Sequence, residues 1–450
     1  MRVAIIGSGI AGLAAAHTLQ REGDRVSLTV FEAGDYFGGH THTVDVTLPG
    51  PAGPITHGVD TGFLVFNERT YPGLIALFED LAVETVHSDM SFSVQVKKDR
   101  TTNDMEWSGT NLSSVFAQRK NLLNRRFWRM LQDLRRFNEV CNALVAVGSE
   151  AALRQPLGQF LDEKKFSKEF SDWYFLPMVA SIWSCPTRQM LEFPVSTMIR
   201  FCHNHGLLQI SNRPQWWTVK GGAKHYVEKI LAGVSDKRLN SPVLNIERLA
   251  SAATGGVRIK TAAATEYFDR VILATHPNQA LSLLSEPSPL EARTLSAIRF
   301  HANRAVLHTD ESVLPHRRSA WAAWNYERSA ATHKTRDADA SGDAPTDVCL
   351  HYLINQLQPL PWRQSVIVSL NPIREIAVDK VLGEYAYEHP IFDHSAIRAQ
   401  RQVSWLQGQN NTYFCGAWMG YGFHEDGFTA GVNAARQMLG STVVRQELAA

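Results

Sequence analysis

Six residues near the start of the chain, Gly7-Ser8-Gly9-Ile10-Ala11-Gly12, and one acid about 20 residues further on, Glu32, form the most chemically pointed pattern in the sequence. Glycines at this spacing do separate jobs. Gly7 permits a tight turn, Gly9 lets the backbone approach a pyrophosphate, and Gly12 lets a helix pack closely on a strand. Ser8, Ile10 and Ala11 complete the turn, and the helix it opens presents free N–H groups to phosphate oxygens. A carboxylate at Glu32 is placed to accept hydrogen bonds from adenosine ribose hydroxyls. It also repels a 2′-phosphate, so an NADP-type ligand is disfavoured.

Such a turn works only if particular elements hold it. Arg2 to Ile6 reads as a buried parallel strand, Leu13 to Arg21 as a helix closed by Gly23, and Val26 to Phe31 as a second strand ending at Glu32. Glycines alone carry little. Flanked by strand and helix, with the acid at the right distance, they predict a Rossmann unit that binds a dinucleotide.

The rest of the chain sets bounds. A length of 450 residues predicts two or three lobes, and 44% apolar with 20% charged residues is the balance of a globular enzyme. Lys plus Arg (45) nearly cancels Asp plus Glu (44), which leaves no overall field for nucleic acid, and none is expected as a partner. Five scattered cysteines with no CxxC pair argue against a zinc site or a disulfide framework and fit a reducing cytosol, so no metal and a cytoplasmic location are expected. The apolar opening from Val3 to Leu19 is broken by glycines and preceded by one basic residue, which reads as strand and helix rather than a signal peptide. No nucleophile elbow, P-loop or second GxGxxG after a strand is present.

Beyond Glu32 the chain continues Ala33-Gly34-Asp35-Tyr36-Phe37-Gly38-Gly39-His40. The stretch from Gly7 to Gly39 resembles the FAD signature of the flavin amine oxidase superfamily. Further segments match in the same order: Val59-Asp60-Thr61-Gly62-Phe63, Gly221-Gly222 with Val243 and Ile246, Asp269 to Thr275, and Gly427-Phe428-Thr429-Ala430-Gly431. The resemblance implies FAD as cofactor. It assigns the pyrophosphate to the glycine turn and Gly39, with His40 beside it, and the isoalloxazine ring to the loop through Thr61 and Gly62. It brings Ala33 and the Val243 backbone to the adenosine half. The amides of the helix opening at Gly427 and Phe428 would face the ribityl chain and flavin O2. Two positions depart from the family pattern: His40 stands where arginine is usual, and Ala417 where an acid usually holds a ribityl hydroxyl. Asp426 is the candidate to replace that acid.

Several phrases, among them Ile182-Trp183-Ser184, Trp324-Asn325-Tyr326 and Gly420-Tyr421-Gly422-Phe423-His424-Glu425-Asp426-Gly427, are similar to FAD-dependent proteins found beside, or fused to, cyclopropane-fatty-acid synthases. This implies a functional link to such a synthase and a fatty-acyl or lipid substrate, oxidised by desaturation or a related reaction. The alternatives are an amine oxidase releasing hydrogen peroxide, a redox-neutral fatty-acid isomerase, or an FAD-holding partner of a lipid methyltransferase. Within the segment preceding the flavin-facing helix, His424 is the candidate proton carrier because its unperturbed pKa lies near neutrality. Tyr421 is expected to shape the pocket, and Glu425 is the reserve acid or base.

The order of the segments implies an α/β, Rossmann-type FAD domain interrupted by a mixed α+β substrate domain. The FAD domain would comprise 1–80, 218–290 and 405–440. The substrate domain would take 81–217 and 291–404, with helices from about 112 to 205 and a sheet from about 295 to 375, and 441–450 would be a tail. Glu327 to Asp347, rich in Ala, Asp, Ser and Thr, reads as a long loop. From Arg119 to Arg136 seven basic residues face the single acid Asp133, interleaved with Leu122, Leu123, Phe127, Trp128, Met130, Leu131 and Leu134. At helical spacing this predicts either a helix lying on the inner face of an anionic membrane or an amphipathic surface helix with a solvated basic side.

Overall fold

Alternation along the first strand shows why its sequence is apolar throughout. Val3 and Ile5 enter one hydrophobic core and Ala4 and Ile6 another, so both faces of the strand are covered. In the computed structural model, which describes residues 1–97, 103–147, 155–208, 214–249, 255–329 and 348–440, this strand (β1, Arg2–Ile6) is central to a five-stranded sheet. Its companions are β2 (Ser27–Phe31), β3 (Asp236–Arg238), β4 (Arg270–Leu273) and β5 (Thr412–Phe414), in the order β3-β2-β1-β4-β5, every pair parallel. The sheet therefore collects strands from three well-separated stretches of chain.

Two helices cover one face. The first, α1 (Ile10–Gln20), begins directly after Gly9, three residues earlier than the sequence pattern suggests, because the apolar residues Ile10 and Ala11 are already buried in its first turn. Against it lies α3 (His424–Met438), preceded in the chain by α2 (Arg125–Val147) of the other unit. The α1–α3 crossing is close: a Cβ on Gly431 would stand 2.0 Å from the Ala11 carbonyl oxygen, and one on Gly427 would stand 2.7 Å from Ile10 Cγ2.

The second unit is built on a seven-stranded sheet ordered 381–390, 300–308, 367–370, 349–353, 324–329, 92–97, 103–108. It is larger than the sheet expected over 295–375, since Val381–Pro390 extends one edge and Phe92–Lys97 with Asn103–Ser108 extends the other. Trp324–Ser329 and Cys349–Leu353 pair antiparallel, as neighbours. The loop expected from Glu327 starts as strand, and its residues 330–347, like the tail 441–450, lie outside the described residues. Helices Leu157–Glu163, Leu176–Trp183 and Val195–Asn204 join α2 around a core rich in phenylalanine.

The basic stretch 119–136 is not a single helix. Arg119–Leu123 forms a short 3-10 turn, and Asn124 then caps α2, its Oδ1 accepting from the N–H groups of Arg126 (3.0 Å) and Phe127 (3.4 Å). An asparagine side chain that satisfies two first-turn donors starts a new helix rather than continuing the old one. Among the described residues no helix is long and apolar enough to cross a membrane.

Candidate functional site

At the carboxyl ends of β1, β2 and β4, the part of an open α/β sheet where ligands bind, lies a cavity of about 620 Å³. That is within the roughly 300–1,000 Å³ of cofactor and ligand pockets. Gly7 to Ala11 form its floor, joined by Glu32, Ala33, Gly39, His40 and Val243. The glycines are required sterically. Gly7 has φ +98°, and a Cβ on Gly12 would stand 2.0 Å from the Gly7 carbonyl oxygen. A Cβ on Gly9, which lines the cavity, would meet nothing within 4 Å. Open space beside that backbone and the uncapped first turn of α1 fit a pyrophosphate.

Three donors orient Glu32. Its Oε2 accepts from Ser8 N–H (3.0 Å) and Ser8 Oγ (2.5 Å), and its Oε1 accepts from Gly34 N–H (2.9 Å). Ser8 Oγ accepts in turn from Gly38 N–H at 3.1 Å, which ties the double glycine to the turn. The serine is fully buried, and its hydroxyl and N–H both serve the scaffold.

A glycine turn on a helix N-terminus, an oriented acid at the end of the second strand and a deep adjoining cavity are the parts of a dinucleotide-dependent oxidoreductase. The sequence matches the flavin containing amine oxidoreductase family over residues 10–343, and the chain belongs to that family, with FAD as its cofactor. The fold is shared with solved structures. One is a CLA-producing fatty acid isomerase from P. acnes (TM-score 0.64, 15% identity, covering 97% of this chain and 98% of that one). A second is cyclohexylamine oxidase from Brevibacterium oxydans IH-35A (0.64, 17%, 97% and 98%). A third is putrescine oxidase bound to putrescine (0.64, 14%, 98% and 99%). No curated protein sequence matches.

The C-terminal segment is arranged differently from the expectation. The helix begins at His424, not Gly427, because Asp426 closes a capping box: its Oδ2 accepts from Phe423 N–H at 2.9 Å. Asp426 is thereby turned away from the cavity, and burial pushes its carboxyl up to about 7. It is a cap, not a substitute for the missing ribityl acid. Gly427 and Phe428 do not line the cavity either: Gly427 packs on Ile10, and the Phe428 ring lies over Gly73. The wall is formed instead by Gly416, Ala417 and Trp418, with Gly422, Phe423 and His424.

Of the three candidate catalytic residues, only His424 reaches the main cavity. Its Nε2 lies 2.9 Å from Thr41 Oγ1 and 3.1 Å from Tyr226 Oη, and its ring stacks on Phe63 with centroids 3.8 Å apart. Burial, and then the neighbouring His40, lower its pKa to about 3. The imidazole is neutral at ordinary pH, which corrects the expectation of a group titrating near neutrality. Glu425 is spent elsewhere: its two oxygens accept from Gly73 N–H (2.7 Å) and Leu74 N–H (2.9 Å), capping the helix Pro72–Asp80. Tyr421 packs against the helical core near Phe201 and lines a smaller neighbouring pocket with Arg69 and Asn204.

His40 lines the cavity but brings no fixed charge. Burial lowers it to about 4, and its Nε2 has no hydrogen-bond partner among the described residues. His276 and His389 stand on the same wall, with ring centroids 6.4 Å and 5.3 Å from His40. Gly62 lines the cavity and is pinned by its neighbour, since a Cβ there would stand 2.2 Å from the His40 carbonyl oxygen. Thr61 lies behind it, its hydroxyl bonded to Tyr387 Oη at 2.7 Å.

The sequence reading missed much of the cavity. Thr275 and His276, directly after β4, could have been found from their place at a strand's carboxyl end. Phe201, Leu207, Trp216 and Tyr352 carry no local signal and converge only through the fold. Away from the cavity lining, Glu327, Cys349 and His351 bring three metal-capable atoms within 4.8 Å of one another in the interior, with Arg374 Nε 3.7 Å from Glu327.

Proposed function

We propose that the chain oxidises a largely apolar substrate, an acyl chain of a fatty acid or phospholipid, by desaturation or a related oxidation. The observation that carries this reading is the lining supplied by the second unit. Met90, Ile182, Phe201, Leu207, Trp216, Trp324 and Tyr352 continue the nucleotide groove past Phe63, Tyr71 and His424. The two carboxylates on the described lining are both engaged: Glu32 holds the glycine turn, and Glu388 pairs with His276 at 3.0 Å.

Bound FAD supplies hydride acceptance. The chain supplies the rest. Its apolar walls exclude water and align an extended chain, Phe63 fixes the plane of the His424 ring, and Thr41 and Tyr226 hold His424 Nε2 in a hydroxyl pair. A neutral imidazole so held presents a fixed, uncharged ring to the cavity, its Nε2 sharing hydrogen bonds with the two hydroxyls. The likeness to flavoproteins beside cyclopropane-fatty-acid synthases supports acyl chains shared with such a methyltransferase. Among the shared folds, a fatty acid isomerase supports the acyl chain. Two amine oxidases of the same fold, together with the aromatic walls, favour a second reading: amine oxidation with release of hydrogen peroxide.

Anaerobic mixing of the FAD-loaded protein with fatty acids, with phospholipids and with a panel of amines separates the readings. Bleaching of the flavin by acyl chains, with a product short of two hydrogens by mass spectrometry, is the expected result. Bleaching by amines alone refutes it. Rearranged double bonds without net flavin reduction assign the redox-neutral isomerase.

A further inference from the structure

We infer that the corner formed by Leu112–Phe116, the 3-10 turn Arg119–Leu123 and the first turn of α2 docks on an anionic lipid surface. Four of the eleven exposed large hydrophobic residues among the described residues, Leu112, Leu122, Leu123 and Trp128, fall within this one short stretch, and Leu123 is 91% exposed. Single exposed leucines are ordinary, whereas a contiguous group is a mark of an interaction site. The group is contiguous. Trp128 Nε1 donates to the Leu122 carbonyl at 2.9 Å, the Trp128 ring lies 5.4 Å from Phe116, and Leu112 is one helical turn before Phe116.

The charge around it selects the partner. Arg126 and Arg129 reach Glu169, Arg135 reaches Glu139, and Arg136 reaches Asp133, so most of the basic stretch is neutralised within the fold. Arg119, Lys120 and Arg125 are exposed and have no acidic partner within 4.0 Å among the described residues. They flank Leu122 and Leu123 in sequence, with no acid between Arg119 and Met130. Unpaired cations beside protruding leucines and a tryptophan match a bilayer interface, where apolar side chains enter the acyl boundary and basic ones meet anionic headgroups. The surface is thus a corner made by the helix break at Asn124, not the long amphipathic helix that the sequence pattern suggests. The inference does not depend on the acyl-chain reading and concerns a different part of the molecule.

The test is flotation of the full FAD-loaded chain with vesicles of phosphatidylcholine alone and of phosphatidylcholine with phosphatidylglycerol. The wild type is expected to float with the anionic vesicles only, and to be released by high salt. The triple variant Arg119→Ser, Lys120→Ser, Arg125→Ser should bind on the order of 100-fold more weakly, at about fivefold per basic residue. Leu123→Ser should cost about tenfold or more. Arg135→Ser, which removes a paired cation from the same helix, should bind as the wild type does. The flavin spectrum of each variant reports that it is folded. Failure of the wild type to float, equal flotation with neutral vesicles, or undiminished binding by the triple variant overturns the inference. So does a concentration-dependent dimer that is lost in Leu123→Ser, which would assign the corner to a second copy of the chain.

Discussion

Replacing Glu32 with alanine tests the nucleotide groove most directly. The carboxylate holds Ser8 N–H, Ser8 Oγ and Gly34 N–H, and the ribose of the adenosine half would be its fourth partner. A hydrogen bond to a charged acceptor contributes roughly 1.5–3 kcal/mol. At about 1.4 kcal/mol per tenfold, losing the ribose bond alone should weaken FAD binding by roughly 10- to 150-fold. A second effect is separable. Ser8 is buried, and its orphaned N–H should cost about 1–3 kcal/mol of stability even without flavin. The assay is titration of apo-protein with FAD, followed by quenching of flavin fluorescence, alongside urea unfolding of the same apo-protein. Glu32→Gln, which keeps an acceptor and loses the charge, should fall between. If both variants bind FAD like the wild type while only unfolding changes, Glu32 merely braces the turn and the ribose assignment is wrong.

Four further outcomes follow from the geometry. Gly12→Ala places a Cβ 2.0 Å from the Gly7 carbonyl oxygen and should give flavin-poor protein destabilised by about 1–3 kcal/mol or more, read by absorbance and urea unfolding. His424→Ala should keep FAD but slow substrate-driven flavin reduction about tenfold or more in stopped flow, while Tyr421→Ala, outside the main cavity, should leave that rate near wild type; the opposite order would return His424 to the scaffold. His424 titrates at about 3 when folded against about 6.5 unfolded, so the unfolded chain takes up its proton first and stability falls as pH drops below 6.5. Between pH 7 and 5 the apo-protein should lose up to about 2 kcal/mol more than His424→Gln does, and equal losses would contradict the burial argument. NADH and NADPH should bleach the flavin slowly or not at all, since the sequence has a single Rossmann fingerprint, and reduction at about 1–1000 per second would contradict this.

The groove was legible because its physics is local. A glycine turn needs its glycines wherever it occurs, and an acid at the end of the next strand lies a fixed distance from it. Of the family's later segments, Asp269 to Thr275 covers β4, whereas β3 at Asp236–Arg238 carries no signal of its own. The C-terminal site was misread at one point. Gly427 looked like a helix start, but the Asp426 carboxylate satisfies the Phe423 N–H and moves the start back to His424, which turns two acids into caps. Sequence spacing cannot show that choice, because Glu425 finds its partners at Gly73 and Leu74 on a helix far away in the chain. In the basic stretch, likewise, spacing does not show that Glu169, remote in sequence, pairs with Arg126 and Arg129, or that Asn124 divides the stretch into a 3-10 turn and a helix. The apolar cavity walls were invisible because residues as far apart in the chain as Met90 and Tyr352 come together only when the seven-stranded sheet is assembled.

The close crossing of α1 and α3 sets the timetable of synthesis. Ala11 and Gly431, nearly the whole chain apart, are in backbone contact, and β5 completes the sheet on the far side of β4. About 380 residues separate β2 from β5 (412 − 31). At roughly 5–20 residues per second, the first Rossmann strands wait about 20–80 s on the ribosome for the pieces that finish their domain. During that interval α1 lacks its partner helix and the edge of β4 is bare. The groove is therefore finished only after residue 438 has been made, and a nascent chain stalled before residue 412 should expose an apolar, strand-edged intermediate that chaperones bind.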